Sequence, residues 1–351
     1  MKSTGPKEKT PGRRSKPTMS DVAREAGVSL GTVSNVVNGL KVNEAYRLKV
    51  EEAIRKLDYQ VNNSGRNLKT GHSYTIALII PNTRTPHFAA LANDINVALV
   101  RRGYHMLLSF SDYDYKQEEE MLRFVRQNNV DGIIALTYNP RLELPVDIPC
   151  VTIDRFFSAQ VPCVTADNYN GGRIAAEKFA ELGCRKLAFL RIGSVLTNEP
   201  NKRKDGFAAA CLEYGVDFDV KLLTDGEPMS RFEDFLREHL HDGRLDFDGI
   251  FCATDNLAYR VIRMLSGMGI KVPEDVQVIG FDGIRMFGDL NYICSTIVQP
   301  VTDIAETCVE MILSKDLAAR PSLVCLPVRY AAGGTTKEPE EIPEEFRGDI
   351  K

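Results

Sequence analysis

The sequence lacks the features that would place it among membrane, redox or metal-binding proteins. It contains no tryptophan, and no apolar run approaches the roughly 18 residues that a membrane-spanning helix needs. The N-terminus has no signal-peptide core. The eight cysteines form no CxxC pair, and the five histidines show no metal-ligand spacing. These absences predict buried, reduced thiols in a cytoplasmic protein with no metal and no cofactor.

The common catalytic motifs are absent as well. The sequence has no P-loop, no GxGxxG motif after a strand and no GxSxG nucleophile elbow. We therefore assign no catalytic residues. An enzyme on an α/β scaffold remains an alternative function.

Charge is distributed unevenly along the chain. Residues 1–71 carry 14 Lys and Arg against 7 Asp and Glu, a net charge of +7, whereas residues 72–351 have a net charge of −11. A basic N-terminal segment before an acidic remainder predicts a nucleic-acid-binding module joined to a domain of another kind. The length of 351 residues favours two or three domains. The Pro- and Gly-bearing basic stretch 1–17 predicts a disordered arm that touches phosphates, or else a solvated tail.

Residues 18–61 have the pattern of three short helices. Thr18 and Asp21 have the spacing of a capping box, Gly27 suits a left-handed turn, and Ser29 suits the cap of a second helix. A third helix is predicted from about Glu44 to Leu57. Its predicted buried residues are Leu48, Val50, Ile54 and Leu57. Two helices joined by a tight Gly turn predict a helix-turn-helix, with a generic helical bundle as the alternative.

The second helix has two unlike faces. Val33, Val36 and Val37 lie at i, i+3 and i+4, which predicts one buried stripe. The opposite stripe holds Gly31, Asn35 and Asn38, with Ser34 beside it. Small and polar side chains have no use in a core, so this face suits a helix laid against base edges.

From about residue 74, apolar strand patterns alternate with helical patterns. The strands include "YTIALIIP", "DGIIALT", "KLAFLRI", "DGIFCATD" and "VQVIGFD". This alternation predicts parallel sheets covered by helices on both faces. A weak internal echo relates "VDGIIALT" at 130–137 to "FDGIFCATD" at 247–255. The echo favours two similar α/β lobes with a cleft between them, over one continuous doubly wound sheet.

Several stretches carry a resemblance to a known family. "MSDVAREAGVSLGTVSNVVNG", "ADNYNGGRIAAEKFAELGCRKLAFL", "KRKDGFAAA" and "ATDNLAYRVIRMLSGMGIKVPEDVQVIGFD" resemble the LacI (lactose repressor) family of bacterial regulators, in the same order. The resemblance implies an α/β protein. It would have an N-terminal three-helix helix-turn-helix headpiece plus hinge, followed by a bilobal periplasmic-binding-protein-like domain of two doubly wound parallel sheets.

The resemblance also implies domain boundaries. They are a basic arm at 1–17, a headpiece at 18–61, a hinge at 62–71, a bilobal effector-binding and dimerisation domain at 74–336 and an acidic tail at 337–351. The chain of the family crosses between lobes three times. This implies an N-lobe near 74–167 and 301–324, and a C-lobe near 168–299 and 325–336.

For DNA binding, the resemblance places base-reading positions at Leu30, Gly31 and Asn35. Asn35 favours adenine where most relatives carry Arg, and Gly31 has no side chain with which to read a base. The other implied DNA contacts, mainly to phosphates, are Thr18, Ser20, Ser29, Thr32, Ser34 and Asn38.

The hinge sequence "NNSGRNLK" at 62–69 adds three implied contacts, Asn62, Arg66 and Leu68. In the family this segment becomes a short helix on operator DNA, and Leu68 falls where an apolar residue wedges into the minor groove. An ordinary linker residue is the alternative for Leu68. Gly65 and Val61 replace the usual Ala and Pro, and an interior Gly is about 1 kcal/mol less favourable than Ala in a helix. This hinge helix should therefore melt more easily.

The implied effector-binding residues are His87, Asp154, Arg203, Thr254, Asp282 and Gln299. A guanidinium fork opposite carboxylates suits the vicinal hydroxyls of a sugar. Turn capping or an interlobe salt bridge is the alternative for both aspartates, and a surface-loop position is the alternative for His87. Gly226 falls where the lactose repressor has an aromatic platform, so a stacking ring comes from elsewhere, such as Phe88 or Phe156, or is missing. Nucleosides and purines remain alternative effectors.

These features predict a transcriptional regulator, a repressor rather than an enzyme, controlled by a small sugar-like effector in the interlobe cleft. A carbohydrate solute-binding protein is the other alternative, disfavoured by the headpiece. The implied partners are pseudo-palindromic double-stranded operator DNA, a second copy of the chain and, in the catabolite-control branch, a phosphocarrier corepressor. The acidic tail has no leucine heptads, which favours a homodimer over a tetramer. We expect no membrane partner and a cytoplasmic, nucleoid-associated protein.

Overall fold

The computed structural model divides into two compact units, Met1–Ser73 and Tyr74–Lys351. It describes residues 17–60, 72–137, 139, 142–158, 160–193, 198–224, 226–285, 291–314, 316 and 320–337. The hinge predicted at 62–71, most of the predicted basic arm and most of the acidic tail lie outside these residues and stay predictions.

The described part of the first unit contains three helices, α1 (Met19–Ala26), α2 (Leu30–Val37) and α3 (Glu44–Leu57). Thr18 and Asp21 form the capping box at the start of α1, and Gly27 ends that helix with φ of 64°. Ser29 caps α2 by accepting the backbone N–H of Thr32. The local interpretation of these signals is confirmed.

Of the four residues of α3 that were predicted to be buried, Val50 is buried, Ile54 and Leu57 are half-buried against the headpiece core, and Leu48 is exposed. Val22, Val33 and Val50 are fully buried, but Leu48 is 56% exposed. On a helix the inward face of Val50 recurs three and four residues later, at Ala53 and Ile54. Leu48 lies only two residues before Val50, so it points to another side of α3. The prediction that Leu48 is buried was wrong because it followed hydrophobicity rather than helical spacing.

The second unit alternates strands and helices. Its strands are β1 (Thr75–Ile80), β2 (His105–Phe110), β3 (Gly132–Leu136), β4 (Cys150–Ile153), β5 (Cys163–Ala166), β6 (Lys186–Ile192), β7 (Asp217–Leu223), β8 (Leu240–His241), β9 (Arg244–Leu245), β10 (Gly249–Cys252), β11 (Gln277–Asp282), β12 (Ser295–Val298), β13 (Leu323–Leu326) and β14 (Arg329–Ala331). Its α-helices are α4 (Pro86–Arg101), α5 (Tyr115–Gln127), α6 (Asn168–Glu181), α7 (Lys202–Tyr214), α8 (Ser230–Glu238), α9 (Asp255–Gly267) and α10 (Val301–Leu313).

These strands form two six-stranded sheets of matching topology. The first has the order β13-β5-β4-β3-β1-β2, and the second has the order β14-β12-β11-β10-β6-β7. The two echo segments become β3 and β10, which occupy the same place in the two orders. Their leading aspartates also act alike: Asp131 accepts the backbone N–H of Tyr74, and Asp248 accepts those of Arg185 and Lys186. The fold is therefore bilobal, and the alternative of one continuous sheet is excluded.

The last crossing between the lobes lies later than predicted. The predicted boundary between 324 and 325 falls inside β13, which pairs along its length with β5 of the first sheet. The chain enters the second sheet only after Leu326, where β14 pairs antiparallel with β12. Both strands lie within one apolar run, "LVCLPVRYAA", so hydrophobicity alone does not mark the boundary between the lobes. Pro327 is the residue that interrupts pairing, because proline has no backbone N–H to donate.

The helical pattern of the sequence near 231–241 extends further than the helix in the structure. The helix α8 ends at Glu238, and β8 and β9 form a short hairpin after it. Asp242 and Gly243 connect the two strands with φ of 49° and 74°. Two successive left-handed residues are the geometry that an Asp-Gly hairpin turn requires. The Asp-Gly pair is the sequence signal for this hairpin.

All eight cysteines are free, and seven of them are buried, while Cys325 on β13 is exposed. In the part of the chain that the structure describes, no helix is long and apolar enough to cross a membrane.

Candidate ligand cavity and nucleic-acid-binding face

A cavity of about 300 Å³ lies in the second unit, at the carboxyl ends of strands from both sheets. It is lined by Thr85, His87, Phe88, Tyr113, Asp154, Arg191, Ile192, Gly193, Pro200, Arg203, Ala253, Thr254, Asn256, Asp282 and Gln299. The crevice outside the carboxyl ends of strands is where α/β sheets bind ligands. All six residues implied as effector contacts therefore meet at one cavity. Sequence reasoning missed four polar lining residues, which all lie within the last residues of a strand or the few residues after it: Thr85, Tyr113, Arg191 and Asn256.

Arg203 is held in place by the close packing of α6 against α7. A Cβ on Gly172 would lie 2.0 Å from the carbonyl oxygen of Arg203, and a Cβ on Gly206 would lie 1.9 Å from that of Tyr169. The two helices can approach this closely only because both positions are glycine. The close approach brings the first turn of α7, which carries Arg203, against the first turn of α6.

The guanidinium of Arg203 is almost completely buried, with 4% of the residue exposed. Its Nε donates to Asn168 Oδ1 at 2.7 Å, and its Nη1 donates to the carbonyl oxygen of Ala253 at 2.5 Å. The guanidinium also lies over the ring of Phe281, 3.5 Å from the ring centroid. These contacts fix the plane of the fork before any ligand arrives, which lowers the entropy lost on binding.

Asp282 ends β11 and faces Arg203. Its Oδ1 lies 3.9 Å from Arg203 Nη1 and accepts a hydrogen bond of 2.8 Å from Gln299 Nε2. The Oε1 atom of Gln299 is buried and has no hydrogen-bond partner among the described residues. Leaving a buried acceptor without a donor costs free energy, so a ligand hydroxyl that donates a hydrogen bond to this atom would be stabilised here.

Asp154 follows β4 and supplies a carboxylate from the other lobe. It is buried, has φ of 59°, and its Oδ1 accepts the hydroxyl of Thr165 at 2.8 Å. Burial raises the pKa of Asp154, while the charge of Arg203 and the Thr165 hydrogen bond oppose that rise. Neither aspartate caps a turn: Asp154 bonds to a side chain of its own lobe, and Asp282 contacts Arg203 and Gln299.

His87 does not lie in a surface loop. It is in the first turn of α4, only 7% exposed, and its Nδ1 is buried without a partner among the described residues. Of the two rings suggested for stacking, the buried Phe88 lines the cavity, while Phe156 is 46% exposed and does not line it. Thr254 caps α9 by accepting the N–H of Leu257, so its hydroxyl already has one partner.

The headpiece presents a polar face on α2. Ser29, Leu30, Gly31, Asn35 and Asn38 are exposed, whereas Val33 on the opposite side is fully buried. The other implied contacts in this unit are exposed at Thr18 and Ser20 and half-buried at Thr32 and Ser34. The implied contacts Asn62, Arg66 and Leu68 lie outside the described residues.

The polar side chains of this face differ in how far they are already engaged. Thr18 donates its hydroxyl to Asp21, Ser29 accepts the N–H of Thr32, and Asn38 donates to the carbonyl oxygen of Ser34. Asn35 forms no side-chain hydrogen bond with any described residue. It is therefore the amide of α2 that is free to make a paired donor and acceptor contact with a base edge.

A helix-turn-helix unit with a polar recognition face, followed by a bilobal domain with a polar cavity, defines a class of regulatory protein. The family model "Bacterial regulatory proteins, lacI family" matches residues 18–62, and the model "Periplasmic binding protein-like domain" matches residues 176–336. The chain belongs to the LacI family of bacterial regulatory proteins.

Relatives match over nearly the whole chain. The sucrose operon repressor of Pediococcus pentosaceus is 31% identical over 334 residues, covering 91% of this chain and 99% of that protein. The ribose operon repressor of Lactococcus lactis is 32% identical over 326 residues, covering 92% and 98%. The solved structure of a periplasmic binding protein/LacI transcriptional regulator from Alkaliphilus metalliredigens, complexed with D-xylulofuranose, has 27% identity and a TM-score of 0.64, covering 76% of this chain and 100% of that one.

Proposed function

We propose that this protein is a sequence-specific transcriptional repressor whose binding to operator DNA is controlled by a small carbohydrate held in the cavity. The observation that carries the proposal is the convergence of Asp154, Arg203, Asp282 and Gln299 on one buried cavity. The repressors of sucrose and ribose operons among the relatives, and the D-xylulofuranose complex, support a sugar as the effector.

The hydrogen-bonding groups of the cavity favour a ligand with several hydroxyls. Carboxylates at Asp154 and Asp282 and the free Oε1 of Gln299 are acceptors, so the ligand must bring donors. The apolar side chains Phe88 and Ile192 can cover the carbon face of a sugar ring. A volume of about 300 Å³ suits a small ligand.

The DNA-binding role rests on the headpiece face and on its charge. Asn35, Leu30 and Gly31 would meet the base edges in the major groove, and the surrounding hydroxyls and amides would contact phosphates. We infer that a homodimer in the cytoplasm reads a pseudo-palindromic site, since a two-fold protein matches a two-fold DNA sequence.

Control by the effector requires two states of the bilobal domain. The effector changes operator affinity only by binding one state more tightly than the other. Binding in a cavity lined by both lobes gives such a difference, because a change in the angle between the lobes makes or breaks the contacts from one of them.

A DNA-shift assay on the promoter of the protein's own gene tests this function. We expect a sequence-specific complex that changes in affinity with one class of small molecule. The panel contains sucrose, D-fructose and D-ribose, their phosphates and nucleosides, first screened by thermal shift, and a phosphocarrier protein is added in a separate arm. Stabilisation by nucleosides alone would overturn the sugar assignment. Absence of any specific DNA complex would overturn the regulator itself.

The variant Asn35→Arg should change which base is read. A free amide favours adenine and a guanidinium favours guanine, so preference at one base of each half-site should move towards guanine by about 1–3 kcal/mol. Selection of sites from random DNA measures this change. Asn38→Arg is the charge-matched control: it adds the same positive charge at the end of α2 and should leave the preferred bases as they were. An identical site for wild type and Asn35→Arg would remove Asn35 from the base-reading residues.

A further inference from the structure

One buried carboxylate lies beside the cavity without lining it. Asp255 is the first residue of α9, and both of its neighbours, Thr254 and Asn256, line the cavity. Asp255 itself is 0% exposed and points away from the cavity, towards the ends of β11 and β12. Nothing in the proposed recognition of the effector uses it directly.

The carboxylate of Asp255 holds the backbone that follows Asp282. Its Oδ2 accepts the N–H of Ile284 at 2.7 Å, and its Oδ1 accepts the hydroxyl of Thr296 at 2.6 Å. Thr296 Oγ1 in turn accepts the N–H of Gly283 at 3.2 Å. Two consecutive N–H groups after Asp282 are therefore fixed by one carboxylate and one hydroxyl, which we call the Asp255 clamp.

The clamped segment has an unusual backbone. Asp282 has φ of 132° and Gly283 has φ of 80°. A residue other than glycine rarely adopts the first of these values. Such a conformation persists only where the surrounding structure holds it. The clamp lies close against β11: a Cβ on Gly280 would be 2.2 Å from Asp255 Oδ1. The conformation of Asp282 directs its carboxylate to Gln299 and Arg203.

The carboxyl group of Asp255 has a raised pKa. Burial, followed by the negative charge of Asp282 on β11, raises the pKa of Asp255 to about 7, although its hydrogen bonds with Thr296 and Ile284 oppose the rise. The other titratable groups that face it are the thiols of Cys252 on β10 and Cys294 before β12. Burial raises the pKa of both thiols, so they stay neutral.

We propose that Asp255 is a positioning residue for effector recognition, which fixes the turn after β11 so that Asp282 faces the ligand. This role rests on the proposed function, because it assumes that Asp282 contacts the effector. The Asp255 clamp itself can be tested without any ligand. Asp255 does not touch the effector, and its removal should weaken binding only through Asp282.

Asp255→Asn tests the clamp with a residue of the same shape. Its amide has only one acceptor oxygen, so it cannot accept both the N–H of Ile284 and the hydroxyl of Thr296 as the carboxylate does. Asp248→Asn is the matched control, because Asp248 accepts two backbone N–H groups at the amino ends of the strands of the same sheet, away from the cavity. Amide hydrogen exchange in the full chain should become at least tenfold faster at Gly283 and Ile284 in Asp255→Asn, and stay at the wild-type rate there in Asp248→Asn. Unchanged exchange at both amides would overturn the clamp, whatever the effector is.

Calorimetry on the full chain gives the functional readout, with sucrose, D-fructose and D-ribose as the probes. For the probe that wild type binds, Asp255→Asn should lower affinity about tenfold, and Asp248→Asn should leave it unchanged. Equal losses in the two variants would show a general structural role. If wild type binds none of the three probes, these sugars are excluded as effectors, and the exchange measurement still decides the clamp.

Thr296 provides a second pair of variants should Asp255→Asn fail to fold. Thr296→Val removes the bridging hydroxyl and should reproduce both effects, whereas Thr296→Ser keeps the hydroxyl and should restore the wild-type values. In wild type, probe affinity should fall as the pH drops from 8 to 6, because a protonated Asp255 holds the N–H groups less tightly. That part of the pH dependence should be missing in Asp255→Asn. A Thr296→Val protein with wild-type exchange and wild-type affinity would overturn the proposal.

Discussion

Replacement of Arg203 by Ala should lower sugar affinity by about ten- to a hundredfold and abolish the effector response of operator binding. A hydrogen bond to a charged group contributes roughly 1.5–3 kcal/mol, and each 1.4 kcal/mol corresponds to about a factor of ten in affinity. Arg203 is the cation that lies 3.9 Å from Asp282 in a buried cavity. Calorimetry on the full chain measures the loss, with the sugar that the thermal-shift screen identifies.

The same substitution should also destabilise the second unit. Removing one partner of a buried ion pair costs about 3–5 kcal/mol, because the other charge stays buried without compensation. Here the carbonyl oxygen of Ala253 and the amide of Asn168 lose their donors as well. Arg203→Lys keeps the positive charge but cannot reproduce the planar fork, so we expect partial stability with weak sugar binding.

Arg173→Ala is the matched control for this experiment. Arg173 lies in the second unit on α6, but it forms its ion pairs with Glu177 and Glu213, which are not cavity residues. It should therefore bind sugar like wild type, with little change in stability. Wild-type affinity in Arg203→Ala would exclude the cavity as the effector site. A folded Arg203→Ala protein that stays on operator DNA in the presence of sugar would identify an inducer, and one that no longer gains affinity would identify a corepressor.

The sequence patterns predicted local structure better than long-range structure. The strand at Lys186–Ile192 follows directly from an apolar run, and the helix at Met19–Ala26 follows from its capping box and from Gly27. The edge strands β13 and β14 and the position of the last crossing were not found, because they depend on pairing with distant strands. Leu48 was misplaced because one apolar residue carries no information about which side of its helix is covered.

The residues of the cavity were also easier to predict where the signal is local than where it depends on distant parts of the chain. Six of its residues, Arg203 and Asp282 among them, were named from the resemblance. Asp255 had no such signal, because its partners Ile284 and Thr296 lie 29 and 41 residues away. A clamp of this kind exists only once the sheet has formed, and the sequence around "ATDN" gives no sign of it.

A fragment beginning at about residue 72 should stay folded and bind sugar but lose operator binding. The second unit is compact by itself, and its core clusters contain residues of that unit alone. The fragment has a net charge of −11 and lacks the segment of +7, so DNA phosphates should repel it. For the full chain, the logarithm of operator affinity should fall steeply and linearly with the logarithm of salt concentration, since bound cations are released from DNA by each phosphate contact.

DNA-shift titrations of both proteins between roughly 50 and 200 mM salt measure the difference. Thermal unfolding with and without sugar serves as the control that the fragment is intact. Specific operator binding by an intact fragment at the higher salt concentration would show that the DNA-binding surface lies in the second unit, against the assignment of residues 18–61 as the headpiece.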